Sequence, residues 1–98
     1  MELADLMSHL SEDTDKILKP YKYRAITNSI MEQVSNDMIS ELRKYQIQNW
    51  IYNLNVRVKE KNDLIISFQA SIVEVAFLYL HIINHKFLFN IEVYKEKD

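Results

Sequence analysis

The apolar residues change their spacing near the middle of the chain, from a helical period to strict alternation. One helical stripe in the first half consists of Ile26, Ile30, Val34, Met38, Leu42 and Tyr45. From Trp50 onward, apolar and polar residues alternate as they do in half-buried strands. A chain of 98 residues is long enough for one core. The sequence therefore predicts one domain in which helices come first and strands follow.

Two helices are predicted before residue 50. The better-defined one covers residues 24–45 and carries the apolar stripe. Residues 1–10 form a shorter amphipathic extension, after which Ser11 or Asp13 caps a further turn that Pro20 ends. The carboxylates assigned to this cap are Glu12, Asp13 and Asp15. Carboxylates at a helix start interact favourably with the helix dipole, so capping explains them without catalysis.

Four strands are predicted after residue 50, and short turns separate the first from the second and the third from the last. The strands cover residues 50–59, 64–73, 75–83 and 87–93. We expect consecutive strands to pair as a meander. The predicted fold class is α+β (ααββββ), with two N-terminal helices packed on one face of a four-stranded antiparallel sheet. A charged tail at residues 95–98 is expected to fray.

The segment from residue 64 to residue 83 lacks the turn residues that a hairpin needs near its middle. It either turns poorly around residues 73–75 or pairs with a second subunit by strand exchange. The third strand is also apolar on both faces, although two helices cover only one face of a sheet. This extra apolar face predicts an oligomer or a bound partner. A core strand beneath an unusual loop is the alternative.

The composition excludes several classes of function. The chain has no glycine, which rules out the usual phosphate-binding loops and nucleophile elbow, and its turns are expected to use Asn and Asp. It has no cysteine, so disulfides and thiolate metal sites are absent. A net charge of −2 gives no electrostatic reason to expect nucleic acid or an anionic membrane. The acidic N-terminus does not resemble a secretory signal, and no apolar run approaches the roughly 20 residues of a membrane span.

The inventory of catalytic side chains is small. His81 and His85 would share a face on a helix, but they lie on a predicted strand and turn, so a metal site is not expected. Ser67 and Ser71 have no histidine placed to activate them. Strand aromatics such as Phe77 could stack on bases, but sheet-based RNA binders also need a basic groove, which this chain lacks. We therefore expect no enzyme activity, no cofactor, no nucleic acid and no membrane partner.

Several stretches resemble the Tctex-type dynein light chains. Residues 27–33 (TNSIMEQ) are similar to the family's second-helix pattern, and residues 50–52 (WIY) stand where the family has an aromatic step into its first strand. Residues 82–89 (IINHKFLF) resemble the family's third turn and last strand, and Tyr21 falls near a tyrosine that follows the first helix. The similarity spans most of residues 15–94. The chain departs from the family pattern in its first hairpin, at residues 68–74 and in its charged C-terminus.

The resemblance implies a non-catalytic subunit of a motor complex on microtubules. Members of this family dimerise by exchanging the second strand, and they hold a disordered segment of a dynein intermediate chain as an added strand. The implied partners are therefore a dynein intermediate chain and another Tctex-type light chain, in a homodimer or a heterodimer. The implied location is the cytoplasm and its cytoskeleton, and the departures from the family pattern favour the axoneme of a cilium.

On this basis, residues 64–73 are expected to form the exchanged strand. The residues expected to face the dimer or partner surface are Ile65, Ser67, Gln69, Ser71 and Val73. The residues expected to pack inward are Phe68, Ala70 and Ile72. Phe77 and Tyr79 of the next strand are assigned to the same interface. The alternative is a small dimeric adaptor or regulatory subunit, unrelated to dynein, that binds through the same apolar strand.

Overall fold

The computed structural model describes residues 2–96, so Met1, Lys97 and Asp98 of the predicted N-terminal extension and charged tail lie outside the described residues. The elements are helix α1 (Leu3–Leu18), a 3₁₀ turn (Lys19–Tyr21), helix α2 (Asn28–Ile47) and strands β1 (Tyr52–Glu60), β2 (Asp63–Ala70), β3 (Phe77–Asn84) and β4 (Phe87–Lys95). This order confirms the predicted α+β class with two helices before four strands.

Helix α1 is one continuous element, whereas the sequence predicted an extension followed by a separately capped turn. Its buried face runs without a break from Leu6 through Leu10 to Ile17. Asp13 lies in the middle of the helix and is buried, so the prediction that it caps a helix start was wrong. After α1, the hydroxyl of Tyr21 donates a hydrogen bond of 2.8 Å to Asp37, which fixes the 3₁₀ turn on α2.

Helix α2 carries the predicted apolar stripe on its buried face. It begins four residues later than predicted, at Asn28, because the Oγ1 of Thr27 accepts a hydrogen bond of 3.1 Å from the N–H of Ile30. This is an N-cap, which satisfies one backbone donor that the first helical turn leaves free. The stripe residues inside α2 are all buried: Ile30, Val34, Met38, Leu42 and Tyr45.

The sheet is mixed, so the predicted antiparallel meander was wrong. Its strand order is β1-β2-β4-β3, and the two central strands β2 and β4 run parallel. The connection 71–76 crosses the end of β4 instead of turning back beside β2. At this crossing Val73 is buried, and the N–H of Lys95 donates to the carbonyl of Ala76 at 3.0 Å. A buried apolar anchor thus replaces the turn chemistry that the sequence lacks.

Both hairpins close through two-residue loops without glycine. The first residue of each loop, Lys61 in one and His85 in the other, has a positive φ, of 41° and 52° respectively. Asn49 and Asn53 also have positive φ. The expectation that Asn and Asp supply these positions was therefore only half right. A residue other than glycine in this region costs roughly 1 kcal/mol, which tight strand pairing on either side offsets.

Both helices cover the same face of the sheet, as predicted. The side chains of β2 and β4 on that face are fully buried: Leu64, Ile66, Phe68, Ala70, Phe87, Phe89, Ile91 and Val93. Leu78, Leu80 and Ile82 of β3 lie on the same face and are partly buried at the margin of the core. The opposite face has no element of residues 2–96 packed over it. We call it the open face.

Candidate protein-binding surface

The open face is most apolar along β3, which is an edge strand. Alternate residues of β3 point to opposite faces, as in any strand. On the open face, Phe77, Tyr79 and Ile83 are 45%, 44% and 77% exposed. The prediction that this strand is apolar on both faces is therefore confirmed, and its outer apolar side chains remain accessible to solvent in the single chain.

The aromatic residues of the open face hold one another in place. The rings of Phe77 and Tyr94 have centroids 4.9 Å apart, and Tyr79 meets His81 edge to face at 4.6 Å. The hydroxyl of Tyr79 donates a hydrogen bond of 2.9 Å to Oδ1 of Asn90. Asn90 is only 3% exposed, although no helix covers it, and its Nδ2 donates to the carbonyl of Leu64 at 3.1 Å. The surface is thus preorganised by packing and hydrogen bonds.

In β3, the backbone N–H and C=O groups of every second residue point away from the sheet. Continued by one residue, the register of β3 with β4 places Ala76 opposite Lys95, and the hydrogen bond from the N–H of Lys95 to the carbonyl of Ala76 marks them as a hydrogen-bonded pair. Such pairs alternate along antiparallel strands, so the even-numbered residues of β3 bond to β4. The N–H and C=O groups of Phe77, Tyr79, His81 and Ile83 therefore face outward. Within residues 2–96 no other strand pairs with this edge.

The other edge of the sheet, β1, is protected against strand addition. Its ladder with β2 is irregular between Tyr52 and Asn55, where Asn53 takes a φ of 53°. Its exposed residues include Arg57 and Lys59. Irregular pairing and charged side chains are the usual devices by which proteins block edge-to-edge pairing. The eight residues of β3, in contrast, include no Lys, Arg, Asp or Glu. Of the two edges, β3 is the one open to another strand.

The structure divides the predicted interface residues among three places. Ile65, Ser67 and Gln69 lie half-buried on the open face of β2, as their alternation predicted. Phe68 and Ala70 are buried beneath the helices, and Ile72 packs partly against the core, also as predicted. Ser71 is exposed in the crossover connection. Val73 is buried in the single chain and does not continue the predicted outward alternation, because the strand ends at Ala70.

A shallow depression lies on the open face where β2 and β4 end. It has a volume of about 610 Å³, and its lining includes Asn53, Gln69 and Tyr94. The amide of Asn53 donates a hydrogen bond to the side chain of Gln69 across the two strands. Tyr94 belongs at once to this depression and to the aromatic cluster, since its ring contacts Phe77. The two features therefore form one continuous surface.

The most perturbed titratable groups lie elsewhere, between α1 and α2. The Tyr45 hydroxyl donates to the carboxylate of Asp13, and Nζ of Lys44 lies 2.9 Å from the same carboxylate. Burial, together with this hydrogen bond to Asp13, raises the pKa of Tyr45. Lys44 also lies 2.8 Å from Glu41, and this hydrogen bond lowers the pKa of Glu41. Burial lowers the pKa of Lys44, but its bonds to Glu41 and Asp13 outweigh burial and raise it.

These groups use their hydrogen-bonding capacity on one another and fasten the two helices together. Sequence reasoning missed the cluster, because Asp13 is separated from Lys44 by 31 residues and only the packing of α1 on α2 brings them together. Within residues 2–96, no three His, Asp or Glu side chains are placed to hold a metal ion. His81 lies on the open face, and His85 lies in the last hairpin loop.

We call this surface the β3 edge. It consists of the outward-facing backbone of β3 and the exposed side chains of Phe77, Tyr79, His81 and Ile83. It can accept an extended segment as an additional strand. In the part of the chain that the structure describes, no helix is long and apolar enough to cross a membrane. No family of known proteins, no curated protein and no solved structure matches this chain.

Proposed function

We propose that this chain is a non-catalytic dynein light chain of the Tctex type. It dimerises and holds a disordered segment of a dynein intermediate chain as an added strand, which helps a dynein motor complex to assemble on the cytoskeleton. The observation that carries the binding mode is the β3 edge, which is unpaired, uncharged and bordered by exposed aromatic side chains. The dynein assignment is supported by the resemblance of residues 27–33, 50–52 and 82–89 to that family.

Strand addition uses the groups that the β3 edge offers. The outward N–H and C=O groups of the odd-numbered residues bond to the main chain of the segment, which provides affinity with little dependence on sequence. Specificity then comes from the side chains that flank the added strand. Phe77 and Tyr79 favour apolar residues on the open face of the segment, and Leu80 favours an apolar residue on its helix face.

Dimerisation by exchange of residues 64–73 belongs to the same proposal. In the single chain, β2 lies between β1 and β4 and pairs with both. Exchange would place the β2 of one copy in the identical position in the other copy, and because β2 lies between two connections, both the loop 61–62 and the crossover connection 71–76 would open. A dimer would also join two intermediate-chain segments, so that the second binding event becomes effectively intramolecular.

A second candidate function is a small dimeric adaptor or regulatory subunit unrelated to dynein. The β3 edge by itself favours it, because strand addition relies mainly on main-chain hydrogen bonds and does not require the resemblance to the light chains. This candidate uses the same β3 edge and differs only in the protein that is bound.

Affinity purification of the tagged protein from its own cells, followed by mass spectrometry, separates these candidates. Ile83→Lys places a charge on the β3 edge at a residue that is 77% exposed, so the fold should tolerate it. Asn55→Lys places the same charge on the exposed surface of β1 as a matched control. We expect dynein intermediate and heavy chains with the wild type and the control, and their loss with Ile83→Lys. Another stable partner in place of dynein would support the adaptor. Recovery of no partner would contradict both candidates.

A further inference from the structure

The β3 edge matches a second copy of itself. We propose that, when no partner segment is bound, the β3 strands of two copies pair antiparallel across a two-fold axis at Leu80 and join the two sheets into one. This inference goes beyond the proposed function, because it assigns an occupant to the β3 edge in the free protein and does not depend on dynein. It also differs from exchange of residues 64–73, since every strand remains in its own subunit.

The register of this pairing follows from which groups face outward. Phe77, Tyr79, His81 and Ile83 are the β3 residues whose N–H and C=O groups are free to bond across the edge. With the axis at Leu80, Phe77 opposes Ile83 of the second copy, and Tyr79 opposes His81. All the outward-facing residues then have partners. An axis at residue 79 would place Ile83 opposite residue 75, and an axis at residue 81 would place Phe77 opposite residue 85. Both of these positions lie outside β3.

The side chains agree with the same register on both faces. On the open face, an aromatic residue faces either an aliphatic residue or an imidazole, in pairs of the kind that stabilise neighbouring strands. On the helix face, Leu78 opposes Ile82 of the second copy, and Leu80 opposes itself; all three are only partly buried in the single chain. No formal charge opposes a like charge, because residues 77–84 include no Lys, Arg, Asp or Glu.

The helix layer leaves room for this pairing. Nδ2 of Asn84 donates to Oδ1 of Asp15 at 3.3 Å, which identifies the side of α1 that lies towards β3. The exposed residues that share this side with Asp15 by helical spacing include Ala4, Ser8, Ser11 and Glu12. Two-fold pairing of β3 places both helix layers on the same face of the joined sheet, so α1 meets its own copy. The small side chains of Ala4, Ser8 and Ser11 allow the two helices to approach closely along that part of α1.

The pairing buries one short strand and part of a helix flank, which places it at the low end of interface sizes. We therefore expect the β3 pairing to dissociate on dilution. Because an intermediate-chain segment would need the same backbone groups, segment and second copy exclude each other. Free protein would then hold its apolar β3 edge covered until a segment displaces the second copy.

Single-cysteine variants test the register directly, since the natural chain has no cysteine. Leu80 opposes itself in a non-hydrogen-bonded pair, where Cα atoms lie about 4.5 Å apart and a disulfide can form. Leu80→Cys should therefore give a covalent dimer under mild oxidation in a glutathione buffer. Leu78→Cys is the matched control, because it lies on the same face and opposes Ile82 instead of itself. Equal crosslinking of the two variants, or none by Leu80→Cys, would overturn the proposal.

Sedimentation velocity from about 1 to about 200 μM tests whether the edge itself is used, over the range where a small interface dissociates. The N–H of His81 faces outward, so His81→Pro leaves the ladder with β4 intact and removes a donor that the dimer needs. We expect the mass of the wild type and of His81→Thr, which keeps the donor, to double as concentration rises, and the mass of His81→Pro to stay constant whether or not residues 64–73 are exchanged. If His81→Pro fails to fold, Ile83→Lys should give the same loss of dimer. A wild type whose mass does not change over this range, or a concentration-dependent association that survives both substitutions, would refute the pairing.

Discussion

Asp13 provides the sharpest test of how the helices are held together. If it were a helix cap, as its sequence neighbourhood indicates, its removal would weaken only one helical turn. In the structure it is 7% exposed and joins α1 to both Lys44 and Tyr45 of α2. Asp13→Ala should therefore lower the free energy of unfolding by far more than substitution of a neighbouring acidic residue on α1.

The magnitude follows from the two contacts. A buried hydrogen bond to a charged group contributes about 1.5–3 kcal/mol, and Asp13→Ala leaves the Tyr45 hydroxyl buried without its acceptor. The Lys44 side chain is 42% exposed, so solvent screens its ion pair and it adds only about 0–1 kcal/mol. We expect a total loss of about 2–3 kcal/mol. For a domain of this size, that loss lowers the melting temperature by roughly 10 °C or more.

Urea unfolding at one fixed protein concentration, followed by circular dichroism, measures this loss. Glu12→Ala is the matched control, because Glu12 is exposed on the same helix and should change the free energy of unfolding by less than about 0.5 kcal/mol. The double variant with Tyr45→Phe should show a coupling energy of about 1–2 kcal/mol between the two side chains. If Asp13→Ala and Glu12→Ala lose the same small amount, the interhelical tie is refuted and capping is the better explanation.

Three further predictions concern the sheet, the acid limit and the open face. Phe89 is fully buried in β4, so Phe89→Ala should lower the free energy of unfolding by about 3–5 kcal/mol in urea titrations. The hydrogen bond from Lys44 lowers the pKa of Glu41 below its ordinary 4.5. The stabilisation that the Glu41 carboxylate provides is therefore present above about pH 4.5 and is lost as the pH falls through its folded-state pKa. The melting temperature of Glu41→Gln should consequently fall less with decreasing pH than that of the wild type. Tyr79→Phe removes the donor to buried Asn90 and should cost about 1 kcal/mol in thermal unfolding; no change would contradict the bond.

Hydrophobic periodicity predicted the elements well, because each element's spacing reflects its own buried face. The alternation after Trp50 located all the strands, and the stripe from Ile30 to Tyr45 located α2. The open face of β3 could also be anticipated, since one layer of helices cannot cover two faces of a sheet. Asp13 could not be placed, because its role depends on how α1 packs against α2, and local sequence offers a helix cap as an equally good explanation of an acidic residue.

Strand order was beyond the reach of periodicity for a physical reason with functional consequences. An alternating pattern states which face of a strand is buried, but it is the same for a central strand and for an edge strand. The signal that mattered was the missing turn between residues 70 and 77, which permits a crossover as well as an exchange between subunits. Because the chain crosses over β4, β2 becomes central and β3 becomes an edge. The backbone that can accept another chain therefore moves from residues 64–73 to residues 77–84, and the residues whose substitution should abolish binding move with it.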